Sequence, residues 1–177
     1  MARIELWNGD ICELEVEAIV NAANVSLWMS TGVGGAIKRA GGDEIEFAAI
    51  RQAPVALGDA IVTPAGRLAA RVVIHAVSLD RDRRTSGPTL EAAVMSAFDR
   101  ARELGITTIA FPALGTGVGG FPLDGRAPGN LLTDRPDGDP GRLVERVVLA
   151  LRGAAAYQAF EAAMAATAES VGGGAAR

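Results

Sequence analysis

The chain has 177 residues, 49% of them hydrophobic, and 17 Lys+Arg against 21 Asp+Glu give a formal charge of −4 and a pI near 5.1. That balance offers no overall basic field, which argues against nucleic-acid binding driven by phosphate neutralisation. Cys12 and His75 are the sole cysteine and histidine, so an intrachain disulfide, a Cys-rich zinc site and a multi-histidine metal centre are excluded, and neither metal nor cofactor is expected.

In chain order, short apolar runs alternate with helical patterns, as in a layered α/β fold. The candidate strands are 3–7, 18–21, 60–63, 71–77, 107–111 and 146–151. Val72-Val73-Ile74 and Val147-Val148-Leu149 are apolar throughout, as strands covered on both faces should be. Between residues 89 and 104, Leu90, Val94, Ala97, Phe98 and Ala101 fall at helical spacing, with Pro88 before them and Gly105 after. Tyr157, Phe160 and Met164 form a similar stripe on a last, alanine-rich helix. One domain is expected over 1–170, with 171–177 as a flexible tail. No stretch reaches the ~20 apolar residues that span a bilayer. Acidic residues interrupt the N-terminus at once, so a cytoplasmic location without a membrane partner is expected.

The tract 124–142 does not fit this alternation. It carries Pro128, Pro136 and Pro140 among Gly125, Gly129, Gly138 and Gly141, where a crossover helix between the strands at 107–111 and 146–151 belongs. Each interior proline costs a helix about 3 kcal/mol. An irregular loop is expected, the product of a loop replacement or of compensating frameshifts.

Four segments stand out for chemistry. They are Asn8-Gly9-Asp10-Ile11, Asn21-Ala22-Ala23-Asn24, Thr31-Gly32-Val33-Gly34-Gly35-Ala36-Ile37 and Leu114-Gly115-Thr116-Gly117-Val118-Gly119-Gly120-Phe121-Pro122. Three of them follow predicted strands, so they can meet at the carboxyl edge of one sheet. Glycines let backbone N–H groups close on phosphate oxygens, and the stretch from Gly35 reads as a helix N-terminus that favours anions. Gly115, Gly117 and Gly120 match the dinucleotide fingerprint in spacing but sit at the wrong place in the chain. Taken singly, Asp10 and the Asn21/Asn24 pair read as turn chemistry.

Together, in this order and spacing, the four segments resemble the macrodomain family of ADP-ribose-binding modules, over about residues 4–123 and again 143–165. The resemblance implies a three-layer α/β/α sandwich around a mixed, mostly parallel sheet. It implies a site for ADP-ribose, free or linked to protein. Asp10, with Ile11 beside it, then faces the adenine amino group, which suits an acceptor-only carboxylate. Ala22 and Asn24 face the distal ribose, Asn24 being the catalytic candidate. Gly32, Val33, Gly34 and Gly35 form one diphosphate loop, and Gly115, Thr116, Gly117, Val118 and Gly119 the other, closed by Phe121. Arg152 stands where relatives often carry an aromatic over adenine, and its guanidinium can stack there instead. Two departures bear on activity. Gly34 replaces the aspartate of the more active hydrolytic branch, and Gly119 replaces a common aromatic beside the distal ribose. Binding is therefore expected, with modest hydrolysis of ADP-ribosyl esters or O-acetyl-ADP-ribose. The alternatives are a genuine hydrolase in which Asn24 positions the water, and a damaged, non-binding paralogue.

Four further residue groups carry simpler expectations. His75 reads as a satisfied core residue and Cys12 as unreactive. Trp28-Met29 belongs to the pocket wall or to loop packing. Arg81, Arg83 and Arg84 read as a solvated turn.

Overall fold

A computed structural model describes residues 2–114 and 144–172. Six strands form one sheet, β1 (Arg3–Asn8), β2 (Ala18–Asn24), β3 (Ala60–Pro64), β4 (Val72–Leu79), β5 (Thr108–Pro112) and β6 (Arg146–Leu151), in the order β1-β6-β5-β2-β4-β3. All neighbours run parallel except β3 and β4, which gives the mixed, mostly parallel sheet expected.

Alternation along β2 sets the layers. Ala18 and Val20 join Ile74, Ile109, Phe111 and Leu149 on one face, covered by α3 (Gly87–Glu103) and by Phe160 of α4 (Ala154–Gly172). Ile19, Val73, Ala110 and Val148 turn to the other face, under Ile37 of α1 (Gly32–Gly41) and Ile45 of α2 (Asp43–Ile50). The side chain of Met164, the third member of the expected α4 stripe, lies outside the described residues, as does the whole 124–142 tract.

α3 has the punctuation read from sequence. The Ser86 hydroxyl accepts from the Thr89 N–H, Pro88 occupies the first turn, and Gly105 leaves the helix at φ +65°. α2 was not anticipated. Its first turn carries Asp43, Glu44 and Glu46, the acidic bias a helix N-terminus favours, and Ile45 and Ala49 share its buried side. β2 also runs three residues beyond the expected end, so Asn21-Ala22-Ala23-Asn24 is the last part of a strand rather than a turn. The strand continues because its parallel pairing to β4 reaches Asn24, opposite Leu79.

Candidate functional site

The carboxyl ends of β1, β2, β4, β5 and β6 open on one edge, where a crevice of about 490 Å³ is bordered by Asp10, Asn24, the start of α1, Leu79, Ala113 and Arg152. Register explains how distant residues meet there. β1 and β6 pair in parallel with Asn8 opposite Leu151, so the next turns bring Asp10 beside Arg152.

Asp10 caps a short 3₁₀ turn (Ile11–Glu13), accepting the Cys12 N–H at 3.0 Å through Oδ1. Its Oδ2 lies 3.6 Å from Nη2 of Arg152. The Cys12 N–H holds the Asp10 carboxyl below its ordinary range, and Arg152 and Arg39 add to that against the opposing effect of partial burial. The residue is thus an anionic acceptor with one oxygen free to turn to a ligand. Ile11 lines the crevice beside it and is buried. Burial, with the Asp10 carboxylate next to it, pushes the Cys12 thiol up to about 12, which disfavours the reactive thiolate.

On β2, Ala22 and Asn24 line the crevice. The Asn24 Oδ1 accepts from the N–H and hydroxyl of Ser26 at 3.0 and 2.7 Å, and its Nδ2 donates to the Trp28 carbonyl at 3.2 Å. Among the described residues, the second Nδ2 hydrogen has no partner. Asn21, also in the lining, is 2% exposed and belongs to a buried polar chain. Its Nδ2 lies 3.1 Å from His75 Nδ1, and His75 Nε2 lies 2.9 Å from Thr63 Oγ1. His75 is therefore the satisfied core residue foreseen, and burial lowers its pKa to about 4.

The expected first glycine loop is the opening turn of a helix. Thr31 is its extended N-cap but gives no side-chain cap, and Gly32 enters at φ +61°, a conformation that favours glycine. Gly32, Val33 and Gly34 line the crevice, and their N–H groups lack intrahelical partners by position. Gly35 lies one step deeper, its N–H already donated to the Thr31 carbonyl at 3.1 Å, and it does not line the crevice. Glu46 fixes the approach to this turn. Only 2% exposed, it accepts the Met29 N–H at 2.7 Å and pairs with Lys38. Burial alone raises the carboxyl's pKa, but Lys38 and the Met29 N–H overcome it and hold the group ionised.

Trp28 and Met29 divide the two roles left open between them. Trp28 lines the crevice while 60% exposed, and Met29 packs in the core. Arg83 is not simply solvated: it lines the crevice and donates to Thr31 Oγ1 at 3.2 Å, its backbone at φ +61° in a turn closed on the Asp80 carboxylate. Gly115, Thr116, Gly117, Val118, Gly119 and Phe121 lie outside the described residues. Among the described residues no cluster of acidic, histidine or cysteine side chains could hold a metal, and no helix is long and apolar enough to cross a membrane.

A family model described as Macro domain matches residues 20–128. An uncharacterized protein of Mycobacterium tuberculosis is 43% identical over 93% of this chain, and the match covers 45% of that protein. This chain thus spans less than half the length of that relative. A Pantoea vagans protein named O-acetyl-ADP-ribose deacetylase 1 is 42% identical, over 70% of this chain and 76% of its own. A Trypanosoma brucei macrodomain solved in complex with ADP-ribose superposes with a TM-score of 0.77 at 26% identity, covering 90% of this chain and 68% of that one.

Proposed function

The chain belongs to the macro domain family, and from that premise we propose that its crevice binds ADP-ribose, free or attached to protein or an acyl group, with binding well ahead of turnover. One observation carries the reading. A hydrogen-bonded carboxylate, Asp10, and the N–H groups at the start of α1, which have no partner within the helix, border the same crevice. A carboxylate selects the amino edge of adenine, and a helix N-terminus suits a diphosphate. The Trypanosoma brucei relative's complex with ADP-ribose and the deacetylase name of the Pantoea vagans relative support this ligand class.

The weakness of turnover follows from what borders the far end. Asn24 keeps one amide hydrogen after its bonds to Ser26 and Trp28, and an uncharged carboxamide is a poor general base. Gly34 brings no carboxylate. Hydrolysis then rests on holding a water near the reacting carbon, with a phosphate oxygen of the substrate assisting. Arg83 adds a cation at the crevice beside Thr31, which suits the anionic diphosphate.

Calorimetric titration with ADP-ribose, followed by turnover on O-acetyl-ADP-ribose with an Asn24→Ala control, tests the proposal. Saturable binding with turnover near background is expected. Absence of heat would support the damaged paralogue. Fast turnover abolished by Asn24→Ala would favour a genuine hydrolase.

A further inference from the structure

We propose that Asn21 is a ligand-contacting residue of this crevice, whose carboxamide oxygen accepts a hydrogen bond from an O–H group held against the opening turn of α1. The proposal rests on the ADP-ribose reading above. Asn21 Oδ1 is buried yet has no hydrogen-bond partner among the described residues. An acceptor left so is costly, and native structures rarely leave one without a ligand or water to complete it.

The orientation of the amide follows from its neighbours. With Nδ2 donating to His75 Nδ1, the Nε2–H of His75 donates to Thr63 Oγ1, and Oδ1 is directed at the first turn of α1. The flipped amide would set two donor hydrogens against the positive end of a helix whose N–H groups are themselves donors. His75 and Thr63 are thus positioning residues, and neither reaches the ligand.

Gly34 puts no side chain in the space next to that oxygen. A Cβ built there would stand 3.1 Å from Asn21 Oδ1, so any side chain at position 34 crowds the space that glycine leaves open. The chemistry of the occupant then follows. N–H groups of the α1 turn accept anionic phosphate oxygens, but an anionic oxygen has no hydrogen to give Asn21. The group beside Oδ1 must carry its own hydrogen. A hydroxyl of the ligand meets that requirement, and so does a water bridging Oδ1 to the diphosphate.

The test is a double-mutant cycle with Asn21→Ala, Gly34→Ala and the double variant, each titrated with ADP-ribose and with ADP after its thermal melt. Wild-type binding comes first, since its failure overturns the ADP-ribose reading itself. Each single change is expected to weaken ADP-ribose by roughly tenfold, the range for an unpaired buried partner, and the double variant to lose no more than the worse single. Loss confined to ADP-ribose identifies a hydroxyl of the distal ribose, and equal loss with ADP identifies a bridging water. Because Gly34→Ala removes no member of the Asn21–His75–Thr63 chain, an unaltered affinity in that variant overturns the proposal while ADP-ribose binding stands. Losses that simply add in the double variant overturn it too. ¹⁵N spectra of His75 are expected to report the Nε2–H tautomer, and the Nδ1–H form would reverse the amide and overturn the assignment.

Discussion

Asp10→Asn separates what Asp10 does for the fold from what it does for the ligand. The amide oxygen can still accept the Cys12 N–H held at 3.0 Å by the carboxylate, so the cap of the 3₁₀ turn survives. The attraction to Arg152, 3.6 Å away with the arginine largely exposed, is worth at most about 1 kcal/mol. Stability should therefore change by no more than about 1 kcal/mol. Binding should change more, because the oxygen free to face the adenine amino group becomes an NH₂, setting donor against donor. A hydrogen bond to a charged acceptor contributes about 1.5–3 kcal/mol, so ADP-ribose should bind about ten- to a hundredfold more weakly. Rotating the amide does not rescue it, since the oxygen then leaves Cys12 and the cap loses about 1 kcal/mol. Hypoxanthine presents a carbonyl where adenine has its amine. The wild type should discriminate against inosine diphosphate ribose, and Asp10→Asn should narrow or reverse that preference. Calorimetric titration of both proteins with both nucleotides reads the ratio. An unchanged ratio would refute the placement of adenine at Asp10.

Arg152→Ala should weaken ADP-ribose by about 0.5–2 kcal/mol through lost stacking over the base, and Arg152→Phe should recover the loss in the same titration. Glu46→Ala leaves the Met29 N–H buried without its partner and Lys38 without its ion pair, so urea unfolding should report a loss of about 2–3 kcal/mol. His75 titrates at about 4 when folded against 6.5 ordinarily, so the unfolded chain binds the extra proton. The stability this lends is complete above pH 6.5 and is lost as pH falls towards 4, amounting to about 3 kcal/mol. His75→Gln should start less stable at neutral pH and lose stability less steeply over that interval, as urea midpoints against pH would show.

Strands and their edge were legible because apolar runs and glycine-rich segments are local signals. Six strands and the α3 and α4 patterns could be placed from spacing, and two of the crevice-lining segments, 8–11 and 21–24, fell at strand ends for the same reason. Asn21, Glu46 and Arg83 were not assigned their places because their partners are remote in sequence. Asn21 meets His75 54 residues away, and Arg83 meets Thr31 52 residues away. Glu46 looks like an ordinary acidic residue of a first helical turn until the fold brings it against the Met29 N–H. The clue that was present lay in the helix itself. Acidic residues at 43, 44 and 46 directly after the glycine pair 41–42 are a start signal. Period alone missed it because α2 has only eight residues.

The acidic balance that counts against polynucleotides does not count against a diphosphate, because the two are read at different ranges. A polynucleotide is gathered by a field summed over many phosphates, and a chain with net charge −4 supplies none. A diphosphate in a crevice meets groups within a few ångströms, well inside the screening length of about 8 Å at physiological salt. There the inventory among the described residues is cationic or donor-rich: the first-turn N–H groups of α1, Arg83 bonded at its N-cap and Arg152 across the crevice. Asp10 is the exception, and its place by Arg152 keeps its charge compensated. On the proposed reading, net charge weighs against a polynucleotide, while the backbone at Gly32–Gly34 and the Asp10 carboxylate favour a diphosphate joined to a purine.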